Sequence, residues 1–117
     1  MTTTDKELLE LAAKAAGIDV QPVEVKNVEF QGDDRFIGYR ADPDQWQRGW
    51  FDPLTDDSDA LRLAVKLEIN VIPSMEESSA RNPSYTGWIN ERNPADAYAA
   101  TRRAITRTAA EIGRGMA

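Results

Sequence analysis

Arginines near the C-terminus are the first residues in this sequence that could do chemistry. Arg103 and Arg107 stand one helical turn apart with Arg102 beside them, and every basic residue after Lys66 is an arginine. A guanidinium is planar, permanently charged and forked, so it suits bidentate contacts to phosphate or carboxylate. Aromatic residues fall near other arginines, at Tyr39-Arg40, at Trp46-Gln47-Arg48 and at Trp88 shortly before Arg92. An aromatic face takes a base and a guanidinium takes a phosphate, which together are the means of holding a nucleotide. The candidate ligand-binding set is Arg102, Arg103, Arg107, Trp88, Tyr85, Arg40 and Trp50. The plain alternative is a solvated charged helix face, with Glu111 paired to Arg107 four residues earlier.

The chain has no cysteine and no histidine. Disulfides, thiolate nucleophiles, Cys/His zinc sites and histidine general bases are therefore excluded. An enzyme would have to work with carboxylates and a metal, through Asp52, Asp57 or Asp59 meeting Glu24 or Glu91. The expectation is a protein that is not an enzyme and needs no cofactor or metal. Charge is unevenly placed: residues 1–60 hold six basic and fourteen acidic side chains, net −8, and residues 61–117 hold eight and six, net +2. An acidic chain is repelled by duplex DNA. No apolar run approaches the roughly 20 residues of a membrane span, and the N-terminus does not read as a signal peptide, so the cytoplasm is expected.

A single α+β domain follows from the elements that must position these residues. Thr4 and Glu7 form a capping box for a helix over Asp5–Ala16 that Gly17 ends. Val23 and Val25, then Val28 and Phe30, alternate with polar residues, with a bulge near Asn27; "QGDD" turns the chain, and "RFIGYRA" returns as the hairpin partner. A further short strand is expected at Trp50 and Phe51. In "WFDPLTDDSDALRLAVKLEI" the acidic cluster raises the question of a metal site. The pattern fits a helix start better: Thr55 as N-cap, with Asp56, Asp57 and Asp59 at the positive end of the helix dipole. Only Asp52 lacks such a role. Ala60, Leu61, Ala64, Val65 and Leu67 would be buried, with Trp50 anchoring the start of the helix. "EINVIP" reads as a strand, "SMEESSARNPS" as a mobile polar loop, and "YTGWINE" as another strand. Asn93 and Pro94 open a last helix that runs to Ile112, closed by Gly113. Its apolar stripe is Ala97, Thr101, Ala104, Ile105, Thr108 and Ile112. The order is α-β-β-(β)-α-β-β-α, with helices packed on a mainly antiparallel sheet in an α-β-α sandwich-like arrangement.

"KELLELAAKAAG", "WFDPLTDDSDALRLAVKL" and "DAYAATRRAITRTAAEIG", in that order, resemble a family of small phage and prophage proteins related to the phage ABA sandwich domain. The region from Asn70 to Asn93 matches no motif of that family. The resemblance implies a phage origin, a sandwich fold and residence in the host cytoplasm; it implies no defined activity and no established site residue. By analogy with anti-defence sponges of similar size, it suggests a non-enzymatic counter-defence protein that sequesters a nucleotide second messenger, in a pocket formed between subunits of a homo-oligomer. Two alternatives stand beside it. One is an inhibitor that docks the acidic half, through Asp33, Asp34, Asp42 and Asp44, on a basic host defence protein. The other is the carboxylate–metal enzyme.

Overall fold

The computed structural model describes residues 4–25, 36–92 and 96–116. The fold is α+β, in the order α1 (Asp5–Ala16), β1 (Val20–Val25), β2 (Phe36–Ala41), α2 (Asp57–Lys66), β3 (Asn70–Ile72), β4 (Glu77–Arg81), β5 (Ile89–Arg92) and α3 (Ala97–Arg114). Among the described residues all strand pairing is antiparallel, but it is divided between a β1–β2 hairpin and a β3–β4–β5 sheet. The helices fall among the strands as the sequence pattern implies. The third strand expected in the first half is a single bridge, Arg40 to Trp50. An unexpected strand, β4, lies inside the segment read as a mobile loop. Ser78 and Ala80 of β4 face inward and are completely buried. A polar "ESSAR" strand disguises this alternation, because one of its two inward residues is a serine.

Helix α1 forms over the expected residues, with one half of the expected capping box: the Thr4 amide makes no bond to the Glu7 side chain. The Thr4 hydroxyl oxygen accepts the Glu7 amide at 3.2 Å, and Gly17 takes φ 71° beyond the last turn. Helix α3 crosses it closely. A Cβ at Gly113 would stand 2.0 Å from the Leu11 carbonyl oxygen, so only glycine permits this approach. Gly113 is therefore a contact inside α3 and not its stop: the helix continues to Arg114 with Gly115 as C-cap. Its N-cap is Asp96, whose carboxylate accepts the Tyr98 and Ala99 amides at 3.0 and 3.1 Å. The expected Asn93-Pro94 start lies outside the described residues, as do Val28 and Phe30 of the first hairpin.

Helix α3 packs against α1, α2 and the three-stranded sheet. Burial consequently spreads around it, from Ala104, Ile105 and Thr108 of the expected stripe to Ala100, Thr106, Ala109 and Ala110. Thr106 and Thr108 can be buried because their hydroxyls donate to the Arg102 and Ala104 carbonyls one turn earlier, at 2.8 and 2.9 Å.

The acidic cluster starts a helix, with three corrections. Asp56, not Thr55, caps α2; the Thr55 hydroxyl donates instead to Asp52, which thereby gains a turn-forming role. Asp59 is completely buried, where it accepts the Trp46 indole N–H at 3.0 Å and the Asp52 amide at 2.9 Å. Trp46, packed edge-on against Phe51 at 5.2 Å, is thus the buried anchor, while Trp50 stays partly exposed. The buried face of α2 is Ala60, Leu63 and Ala64; Leu61 and Val65, expected inside, are 64% and 70% exposed. The buried carboxylate turns the helix by one position relative to its hydrophobic pattern.

Candidate functional site

The side chains able to bind a ligand converge where α3 passes over the end of the three-stranded sheet. Ile89–Arg92 forms β5, which pairs with β4 in the register Ala80 to Ile89. That register sets Arg81 beside Trp88, and the Arg81 guanidinium carbon lies 4.4 Å from the Trp88 ring centroid. Tyr85 precedes it on a turn built by Asn82, whose carbonyl accepts the Tyr85 and Thr86 amides at 3.0 and 2.8 Å. Asn82 is anchored in turn by donating from its side-chain amide to the Leu67 carbonyl at 2.7 Å. From above, α3 projects Arg103 and Arg107.

These residues enclose an open cavity of about 760 Å³, lined by Tyr85, Trp88, Ile89, Glu91, Arg103 and Arg107, with Leu8 of α1 and Glu111 at its margins. This size lies within the range of small-molecule sites. Tyr85 is 75% exposed and Trp88 43%, so both rings offer surface to a ligand. One face of Trp88 is covered by the Arg81 guanidinium in a cation–π contact, leaving the exposed part of the ring for a ligand.

Glu91 organises the two arginines. Its carboxylate accepts Arg107 Nη1 at 2.7 Å and stands 3.6 Å from Arg103 Nε. Arg107 Nη1 also donates to the Asn90 carbonyl at 3.1 Å, and Arg103 Nη1 to Asp5 at 2.8 Å. Each guanidinium has five N–H donors, and these bonds leave several on each for a ligand. Glu111 pairs with Arg114 at 3.2 Å and not with Arg107, because the sheet supplies Arg107 with a nearer partner in Glu91.

Four of the seven sequence-derived candidates, Tyr85, Trp88, Arg103 and Arg107, thus meet in one cavity, built within a single copy of the chain. The other three do not join them. Arg102 points to the other side of α3, donating to the Leu54 carbonyl at 2.8 Å and to Asp57 at 2.6 Å, because successive helical residues are turned by about 100°. Arg40 and Trp50 pair with each other across the β2 bridge, the guanidinium carbon 5.7 Å from the ring centroid. Glu91, which lines the cavity, and Arg81, which lies over the Trp88 ring behind it, were not assigned to a ligand site by sequence reasoning. The register of β4 against β5 is the signal that would have identified Arg81, and it requires recognising β4 first.

The carboxylates proposed for a metal enzyme stand apart in their roles. Asp57 is paired with Arg102, Asp59 is enclosed by Trp46 and the Asp52 amide, and Glu91 is paired with the cavity arginines. The Glu24 side chain lies outside those described. Among the described residues no three carboxylates form a metal-holding group. Of the acidic residues assigned to a protein-docking surface, Asp33 and Asp34 lie outside the described residues. Asp42 and Asp44 are exposed on one turn, where the Asp42 carboxylate accepts the Asp44 amide at 2.9 Å.

No family model, no curated protein and no solved structure matches the chain. Among the described residues, no helix is long and apolar enough to cross a membrane.

Proposed function

We propose that this chain is a non-enzymatic binder that sequesters a small anionic ligand with an aromatic ring system, of the nucleotide class, in the cavity between α3 and β5. The observation that carries this reading is the meeting of exposed aromatic faces with two guanidiniums: Trp88 and Tyr85 opposite Arg103 and Arg107. A base stacks on Trp88 and a phosphate takes the free guanidinium N–H groups. The cavity arginines are offset by Glu91 and Asp5, so the site favours a ligand of low charge, carrying one or two phosphates, over a polyanion. Retention needs neither a nucleophile nor a general base, in keeping with a chain that lacks cysteine and histidine. The counter-defence role, in which the ligand is a bacterial immune messenger, rests on the resemblance to small phage proteins alone.

A thermal-shift screen against cyclic dinucleotides, cyclic trinucleotides and cyclic ADP-ribose isomers tests the reading. A ligand at 100 times its dissociation constant adds about 2.7 kcal/mol, or roughly 10 °C in Tm for a chain of this length. The shift should vanish in Trp88→Ala and in the Arg103→Ala, Arg107→Ala double variant, and the ligand should be recovered intact after denaturation. Chemical alteration of the recovered ligand would establish an enzyme instead. No shift with any nucleotide refutes the proposal and redirects attention to the acidic first half and a protein partner.

A further inference from the structure

The cavity between α3 and β5 has two chemically different ends, and the contacts along α3 set their order. Arg103 stands 3.6 Å from the Glu91 carboxylate. Arg107, one turn later, donates to Glu91 at 2.7 Å and to the Asn90 carbonyl at 3.1 Å. Advancing along α3 therefore moves back along β5. Glu111 is the next turn of the same helix face. It comes toward the start of β5, where Trp88 and Ile89 line the cavity with it. One end thus offers two guanidiniums, and the other offers aromatic and apolar surface beside a carboxylate. The eight residues from Arg103 to Glu111 span about 12 Å along the helix axis, room for a nucleoside between its phosphate and the far edge of its base.

The carboxylate decides which base edge this end accepts. Glu111 is half exposed, and its Oε1 takes the Arg114 Nε at 3.2 Å. An ionised carboxylate has about four acceptor sites on its two oxygens and donates nothing. A base lying at this end must therefore supply donors. Guanine carries two adjacent donors on its Watson–Crick edge, N1–H and the 2-amino group. Adenine and cytosine set an unprotonated ring nitrogen against the carboxylate, and uracil offers one N–H between two carbonyl oxygens. Adenine is paired best by an amide side chain, and the Asn90 amide oxygen is already taken by the Ser79 hydroxyl at 2.6 Å. The Thr86 hydroxyl is committed to its own turn, where it accepts the Asn82 amide at 2.9 Å. A guanine–carboxylate pair is charge-assisted, which makes it stronger than a neutral one.

We infer that the cavity selects guanine, with Glu111 accepting from N1–H and the 2-amino group while Arg103 and Arg107 hold the phosphate. The inference rests on the nucleotide reading of the cavity and narrows it to guanine nucleotides. Titration calorimetry of the full chain with GMP, IMP and AMP, and with the cyclic dinucleotides of guanine and of adenine, tests it. Guanine compounds should bind about tenfold more tightly than their adenine counterparts, because adenine leaves the carboxylate facing a lone pair. IMP, which keeps N1–H and lacks the 2-amino group, should fall between them. Glu111→Gln should lower GMP affinity to near that of AMP and leave AMP unchanged. Its Tm should not move, since the Glu111–Arg114 pair is exposed. Adenine compounds that bind as tightly as guanine compounds overturn the inference and leave the nucleotide reading standing. A guanine preference that survives Glu111→Gln also overturns it, because the base edge then meets another group. Failure of every nucleotide to bind overturns the nucleotide reading and this inference with it.

Discussion

Replacing Gly113 by alanine sets two effects against each other, and the structure decides between them. In an exposed helix interior the change is favourable by about 1 kcal/mol, because alanine is the better helix former. At Gly113 the added methyl would stand 2.0 Å from the Leu11 carbonyl oxygen and 2.9 Å from its carbon, both backbone atoms of α1 that no rotamer change can remove. Ordinary contact begins near 3.4 Å, so α1 and α3 must separate by more than 1 Å. That separation opens a seam in which Ala12, Ala13 and Ala16 of α1 and Ala109 of α3 are almost wholly buried. Alanines have little side chain with which to fill the gap, and gaps of this width forfeit a quarter to a half of each contact energy. Overpacking typically costs about 1–3 kcal/mol, and a backbone collision lies at the upper end. After the gain in helix propensity the net loss is about 2 kcal/mol, or roughly 8 °C in Tm. Urea unfolding of Gly113→Ala followed by far-ultraviolet circular dichroism measures it, with Gly87→Ala as control, where an added Cβ has nothing within 4 Å. An unchanged or raised midpoint for Gly113→Ala would refute the close helix crossing and the α1–α3 seam with it.

Asp59→Ala should destabilise the fold by about 3 kcal/mol or more, since it strands the buried Trp46 indole N–H and the Asp52 amide together; chemical denaturation checks this, and a loss under 1 kcal/mol would show that water replaces the carboxylate. Burial and the neighbouring Glu10 carboxylate, which accepts the Tyr39 hydroxyl at 2.9 Å, push the Tyr39 pKa well above the ordinary tyrosine value. The stability this group confers is complete below about pH 10, where the unfolded-state tyrosine ionises, and declines as pH rises beyond that toward the folded-state value. Phenolate absorbance of the native protein should therefore lack one tyrosine that unfolding at alkaline pH releases, and Tyr39→Phe should remove the difference. Glu91→Gln removes the carboxylate that competes with a ligand for Arg103 and Arg107; nucleotide affinity, by calorimetry, should rise several-fold, while Tm moves little because these ion pairs are part-exposed. A fall in affinity would show that Glu91 chiefly positions the arginines.

The fold was most legible where local chemistry and burial agree. Thr4, Glu7 and Gly17 mark α1 to the residue, because the capping bonds they make are local and need nothing from the rest of the chain. The pattern misleads where a tertiary contact outweighs it. Leu61 and Val65 extend the apolar stripe of α2, yet Asp59 occupies the buried face, because Trp46 and Asp52 supply the donors that make a carboxylate admissible there. Nothing in the spacing of Trp46 and Asp59 announces that bond. The strand β4 was hidden for a related reason: Ser78, one of its inward residues, is satisfied by the Thr101 hydroxyl at 2.8 Å, so an inward position carries a polar residue.

The candidate site was half legible on the same grounds. Arg103 and Arg107 share a face because helical periodicity requires it, but the aromatics of "YTGW", read as part of a strand, stand on the turn before it, because Asn82 closes a turn there and β5 begins only at Ile89. What brings the two groups together is the crossing of α3 over β4 and β5. At that crossing the buried Ser78 and Ala80 of β4 face inward, and Ser78 is bonded to Thr101 of α3. Arg102 shows the limit of reasoning from adjacency: next to Arg103 in sequence, it serves the α2 side of the molecule through Leu54 and Asp57. Helix α3 therefore divides its arginines between two faces, one opening a polar cavity with aromatic walls and the other bordering an apolar groove.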